Sequence, residues 1–136
     1  EDGASEVDMV VNISDVKNGN YDAAQAEIAA LKKITGDKIL KVIIETCYLT
    51  EEEKIAMCKA VTAAGADYIK TSTGFSTGGA TAADVSLMRS IVGDDMQVKA
   101  SGGIRDYETV MEMIEAGADR IGASASVKIM EAAGEK

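Results

Sequence analysis

The chain has 136 residues, 46% of them hydrophobic, which suits one domain with a real core. Its formal net charge of -9 excludes the broadly basic surface that draws nucleic acid or anionic membrane, so an anionic ligand needs a local cluster of Lys, Arg and backbone donors. Histidine is absent, which removes the commonest zinc ligand and neutral-pH general base and leaves lysine, carboxylate, hydroxyl or thiol to carry any chemistry.

In chain order, the opening EDGASEVD places no complete element before the first apolar run and reads as the middle of something longer. EVDMVV (6–11) is a strand interrupted by Asp8, an acidic residue that is unfavourable there unless it pairs with a cation or lines a polar cavity. LKVIIET (40–46) is a second strand ending in Glu45, for which a structural ion pair is the expected role. Thr50 with Glu53 forms a capping box that starts the next helix, and Cys58 falls within that helix as a small buried hydrophobe.

DYIKTST (67–73) is a third strand, followed by the glycine-rich loop GFSTGGAT (74–81) and a helix opened by Thr81 and Asp84. MQVKAS (96–101) is a fourth, leading through SGGIRD to a helix capped by Asp106. Met111, Ile114 and Ala118 follow helical spacing and are expected in the core. DRIGAS (119–124) is a fifth strand. Gly36, Gly65, Gly93 and Gly117 stand where the helices should stop. A weak repeat, GASEVD, AGADYIK and AGADRIG, sets a Gly-Ala pair before three of the strands.

Strands alternating with helices at this spacing imply right-handed crossovers and a parallel sheet, with any ligand at the carboxyl ends of the strands. Two strand ends match there: KTSTG (70–74) and KASGG (99–103) both read Lys-x-Ser-x-Gly. Neighbouring strands lie about 4.8 Å apart, so Lys70 and Lys99 in similar register crowd one pocket. Crowded, poorly hydrated ammonium groups lose protons more readily, which makes one amine a nucleophile for a carbonyl. A single strand-terminal lysine usually snorkels into solvent; the matched pair argues otherwise. Gly102 and Gly103 with Arg105, and Gly122 with Ser124, form two anion-competent loops on consecutive strands.

EVDMVVN, KVIIET, YIKTSTGF, VKASGGIR and RIGAS, in that order and spacing, resemble deoxyribose-phosphate aldolase, the class I aldolase of the DeoC type. The resemblance implies a TIM barrel that cleaves 2-deoxyribose 5-phosphate to acetaldehyde and glyceraldehyde 3-phosphate and runs the reverse, a carbon-carbon lyase of deoxyribonucleotide catabolism. It implies Lys70 as the Schiff-base lysine, Lys99 as the neighbour that lowers its pKa, and Asp8 in proton relay. It places phosphate near Gly74, Gly102, Gly103, Arg105, Gly122 and Ser124, with no metal or organic cofactor. Phe75 and Ala125 stand where some members have Lys and Ser.

The five strands correspond to the family's fourth to eighth. The expected architecture is therefore α/β, a partial TIM barrel of about five βα units in a single domain over 1–136 that lacks the first three strands. An open, flavodoxin-like doubly wound sheet is the alternative. Expected partners are a small phosphorylated sugar or aldehyde and either further copies of the chain or a missing N-terminal segment, with no nucleic acid or membrane. Two cysteines, no spanning run and no signal peptide point to a reducing cytoplasm. Alternatives to the aldolase are an inactive truncated barrel or a phosphate-binding or assembly module.

Overall fold

The computed structural model describes residues 5–123 and 126–134. Its elements run β1 (Glu6–Val10), α1 (Ile13–Lys17), α2 (Tyr21–Thr35), β2 (Ile39–Ile43), a 3-10 turn (Thr46–Tyr48), α3 (Glu51–Ala63), β3 (Tyr68–Lys70), α4 (Ala82–Val92), β4 (Gln97–Ser101), α5 (Tyr107–Ala116), β5 (Arg120–Gly122) and α6 (Ser126–Gly134). Local chemistry sets these boundaries. The Thr50 hydroxyl accepts the Glu53 N–H while the Glu53 carboxylate accepts the Thr50 N–H, closing the capping box that starts α3. Thr81 and Asp106 accept the N–H groups of Asp84 and Thr109 and start α4 and α5 in the same way. Gly36, Gly93 and Gly117 end α2, α4 and α5, while α3 ends on Ala64 with Gly65 next.

The five strands are all parallel and lie in the order β1-β2-β3-β4-β5. A doubly wound sheet reverses direction partway across, so that helices cover both faces; an unbroken sequential order with right-handed crossovers keeps every helix on one face. The flavodoxin-like alternative is thereby excluded. Leu40, Val42, Ile44, Ile69, Val98 and Ala100 alternate onto the covered face, where they join Ile28, Met57, Val61, Val85 and Met88 in one core. Cys58 belongs to this core, and burial pushes its thiol up to about 12. On α5 the buried side chain is Met113, while Ile114 is half exposed. The apolar stripe of this helix therefore lies one residue away from the one expected through Ile114.

The opposite face is concave. In a flat sheet β1 and β5 would stand about 19 Å apart, four strand spacings. Glu6 on β1 nevertheless receives both guanidinium nitrogens of Arg120 on β5, at 2.5 and 3.2 Å. The sheet is therefore curled into an arc of a barrel, and this ion pair spans it. Among the described residues, no helix is long and apolar enough to cross a membrane.

Candidate active site

Period-2 alternation sends Glu6, Asp8, Lys41, Tyr68, Lys70, Lys99 and Arg120 to the concave face. Register does the rest, because Lys70 pairs directly with Lys99 and Asp8 with Lys41. The Lys41 ammonium, on a residue only 6% exposed, lies 3.5 Å from a Glu6 carboxylate oxygen and 3.7 Å from one of Asp8. The Lys70 ammonium, whose side chain is 12% exposed, lies 4.0 Å from the other Asp8 oxygen. Arg120 completes the layer over the Tyr68 ring, 5.6 Å from its centroid.

Cations thus outnumber carboxylates on this face of an acidic protein: Lys41, Lys70, Lys99 and Arg120 confront Glu6 and Asp8. Lys99 carries the consequence. Burial, then the charge of Lys70, then that of Lys41 hold its ammonium below the ordinary value of 10.5, and Asp8 opposes them only in part. Glu6 responds in the opposite sense, its carboxyl held down chiefly by the hydrogen bond from Arg120.

Sequence pattern pointed to Lys70, Lys99 and Asp8, and these come together. It passed over Lys41, Glu6, Tyr68 and Arg120. A lysine in the middle of an apolar strand was the available signal for Lys41. Glu6 and Arg120 are 114 residues apart and carry no local signature of their pairing.

A cavity of about 330 Å³ opens at the carboxyl ends of β3 to β5. Lys70, Ser101 and Gly74 line it, as do Gly102, Gly103, Arg105 and Gly122, so most of the proposed anion-binding positions share one wall with the lysine. Ser124 lies outside the described residues, as does Ala125. Phe75 also lines the cavity and is 96% exposed. Ser72 is fully buried, and its carbonyl accepts the Ser101 hydroxyl at 2.7 Å. Both serines therefore stitch β3 to β4 just behind the lysines, together with Thr71, whose hydroxyl donates to the Ser101 carbonyl and accepts the Ser101 N–H.

Two glycines allow close approaches, of which that at Gly79 admits no Cβ without a backbone shift. A Cβ on Gly79 would stand 2.2 Å from the Gly102 carbonyl oxygen, so the loop after β3 is seated directly on the loop after β4. A Cβ on Gly122 would meet Lys99 Cε and Ser101 Cβ, each at 3.1 Å, so the bare backbone of β5 leaves room for the Lys99 side chain.

Glu45 departs from expectation. Among the described residues it has no ion pair; its Oε1 instead accepts the Thr73 N–H at 3.0 Å. Cys47 is exposed beside Gly78. No group of three Cys, Asp or Glu side chains among the described residues is placed to hold a metal ion.

With this geometry established, a model of the DeoC/LacD family aldolases matches residues 1–133. The chain belongs to that family. It is 61% identical over 130 residues to a deoxyribose-phosphate aldolase of Clostridium botulinum (strain Eklund 17B / Type B), covering 96% of this chain and 59% of the relative. It is 58% identical over 135 residues to the enzyme of that name from Thermococcus gammatolerans, covering 98% of this chain and 60% of the relative. A tetrameric deoxyribose phosphate aldolase structure from Aeropyrum pernix superposes with a TM-score of 0.87 at 33% identity, over 97% of this chain and 56% of that one. The chain therefore spans about three fifths of the length of its curated relatives. Its five βα units form a partial barrel, in agreement with these neighbours.

Proposed function

We propose that this chain carries the catalytic arc of a deoxyribose-phosphate aldolase acting through a Schiff base on Lys70. The observation that carries this reading is the direct register of Lys70 with Lys99 inside a cation-rich concavity, with Lys70 facing a cavity edged by glycine loops. In cleavage, the neutral Lys70 amine adds to C1 of the open-chain sugar phosphate, and loss of water gives an iminium. A base removes the C3 hydroxyl proton, the C2–C3 bond breaks, and its electron pair flows into the iminium to leave an enamine while glyceraldehyde 3-phosphate departs. Protonation of the enamine carbon and hydrolysis release acetaldehyde and restore the amine.

Asp8, held by Lys41 and 4.0 Å from Lys70, moves protons through water in these steps. Lys99, with its lowered proton affinity, is suited to exchange a proton with the Lys70 amine. Gly74, Gly102, Gly103, Arg105, Gly122 and Ser124 are the proposed phosphate contacts. The single domain corresponds to the family's fourth to eighth barrel strands, and closure of the barrel uses further βα units or further copies of the chain.

Borohydride reduction in the presence of acetaldehyde tests the reading. The expected result is an ethyl group on the peptide carrying Lys70, lost in Lys70→Met. A folded sample in which ethylation is absent from Lys70, or is spread evenly over surface lysines, contradicts it. The second reading, a phosphate-binding module without turnover, draws on the unpaired outer edges of β1 and β5 in the described sheet. Phosphate protection against heat with no trapped adduct would favour it.

A further inference from the structure

Glu45 is the only non-glycine residue with positive φ among the described residues, at φ 52 and ψ 67. This left-handed conformation is strained for a residue with a Cβ, and such strain persists only where the surroundings enforce it. Glu45 lies near the end of an unbroken buried run from Leu40 to Thr46. Glu45 itself is only 4% exposed.

The main chain after β2 follows the segment after β3 as far as it can. Ile44 N–H donates to the Lys70 carbonyl at 3.1 Å and Thr46 N–H to the Thr71 carbonyl at 2.9 Å. Where the two segments part, the Glu45 side chain takes over and accepts the Thr73 N–H. Thr73 in turn accepts the Phe75 N–H on its hydroxyl at 3.1 Å. A run of hydrogen bonds therefore leads from a strained, buried side chain to Thr73 and Phe75, which with Gly74 line the cavity beside Lys70.

We propose that Glu45 is a positioning residue: it touches no substrate, and it fixes residues 73–75 as one wall of the anion-binding cavity by anchoring the Thr73 amide. Its ligand-level consequence rests on the phosphate reading given above, whereas the anchoring itself does not.

Three variants of the 136-residue chain separate the contributions. Glu45→Gly fits the left-handed backbone and so favours retention of the fold, but it removes the acceptor. Glu45→Ala removes the acceptor and keeps the backbone strain. Glu45→Gln keeps an acceptor oxygen without the charge. Amide hydrogen exchange and the midpoint for thermal protection by inorganic phosphate are read for each. In Glu45→Gly, the Thr73 and Phe75 amides are expected to exchange roughly tenfold faster, as for loss of one hydrogen bond, with Val98 in β4 unchanged. The phosphate midpoint should rise by a similar factor, and Glu45→Gln should restore both to within about threefold of the parent.

Unchanged Thr73 exchange in Glu45→Gly overturns the proposal, as does a Glu45→Gln variant as impaired as Glu45→Gly. If Glu45→Gly and Glu45→Ala both fail to fold, the parent chain still decides: a Thr73 amide exchanging as fast as a free loop amide overturns the anchoring. A parent chain that phosphate does not protect, but whose Thr73 amide loses protection in Glu45→Gly, removes the phosphate reading and leaves the anchor standing.

Discussion

The two ends of the strands use the same residue types to opposite effect. At the amino ends, the Asp of each Gly-Ala-Asp repeat is engaged twice through one carboxylate oxygen. Asp67 Oδ2 accepts the Lys32 ammonium at 2.6 Å and the Leu40 N–H at 2.8 Å, and Asp119 Oδ2 accepts the Arg89 guanidinium and the Val98 N–H. Each aspartate thus closes the edge of the preceding strand and ties it to a helix. At the carboxyl ends, Lys70 and Arg105 line a cavity, a non-glycine residue is held left-handed, and a Cβ on Gly79 would run into the Gly102 backbone. A larger depression of about 640 Å³ lies at the amino ends, lined by Asp67, Asp94 and Asp95. Its acidic lining suits no phosphate, and Asp67 is already engaged. The smaller cavity carries Lys70 and Arg105, so the sign of the lining charge, rather than volume, marks the working end, in keeping with barrels whose lower face serves stability.

The sharpest way to break that contrast is Lys70→Met. It should reduce aldol turnover by at least about 10³-fold while leaving the melting temperature unchanged or raised, because it relieves repulsion among buried cations. Gly79→Ala comes next. Its Cβ must displace the Gly102 carbonyl, so a stability loss of about 2–3 kcal/mol by denaturant unfolding is expected, together with weakened phosphate protection. At the other end, Asp119→Ala leaves the Val98 N–H of β4 unpaired and should cost about 1–2 kcal/mol, with borohydride trapping at Lys70 preserved.

The smallest effects are in pH. Below 10.5 and above the lowered pKa of Lys99, the unfolded chain binds more protons than the folded one, so stability rises with pH through that window. Glu6 supplies stability that is present above 4.5 and is lost as pH falls through its depressed pKa. Urea titrations of Lys99→Met and Glu6→Gln should flatten the alkaline and acid segments respectively.

The strand runs, the caps at Thr50, Thr81 and Asp106, and the Lys70–Lys99 pair were legible because each rests on spacing within a few residues or on a motif repeated one βα unit later. The sequential strand order needed coordinates, since alternation alone fits a barrel arc and an open sheet equally well. Glu6 and Arg120 were hidden because they face each other across the curled sheet, and curvature has no local sequence code; Lys41 instead meets Glu6 and Asp8 on the adjacent strand. Glu45 was misassigned to an ion pair for a related reason: a buried carboxyl suggests a cation, but here a left-handed backbone turns the side chain onto an amide N–H.

That Lys70 and Lys99 crowd each other on one cation-rich concave face is decided by titrating the lysine side chains by NMR. Lys99 should titrate below 10.5 in the parent chain and move back toward that value in Lys70→Met. A Lys99 that titrates at the ordinary value and does not respond to Lys70→Met contradicts it.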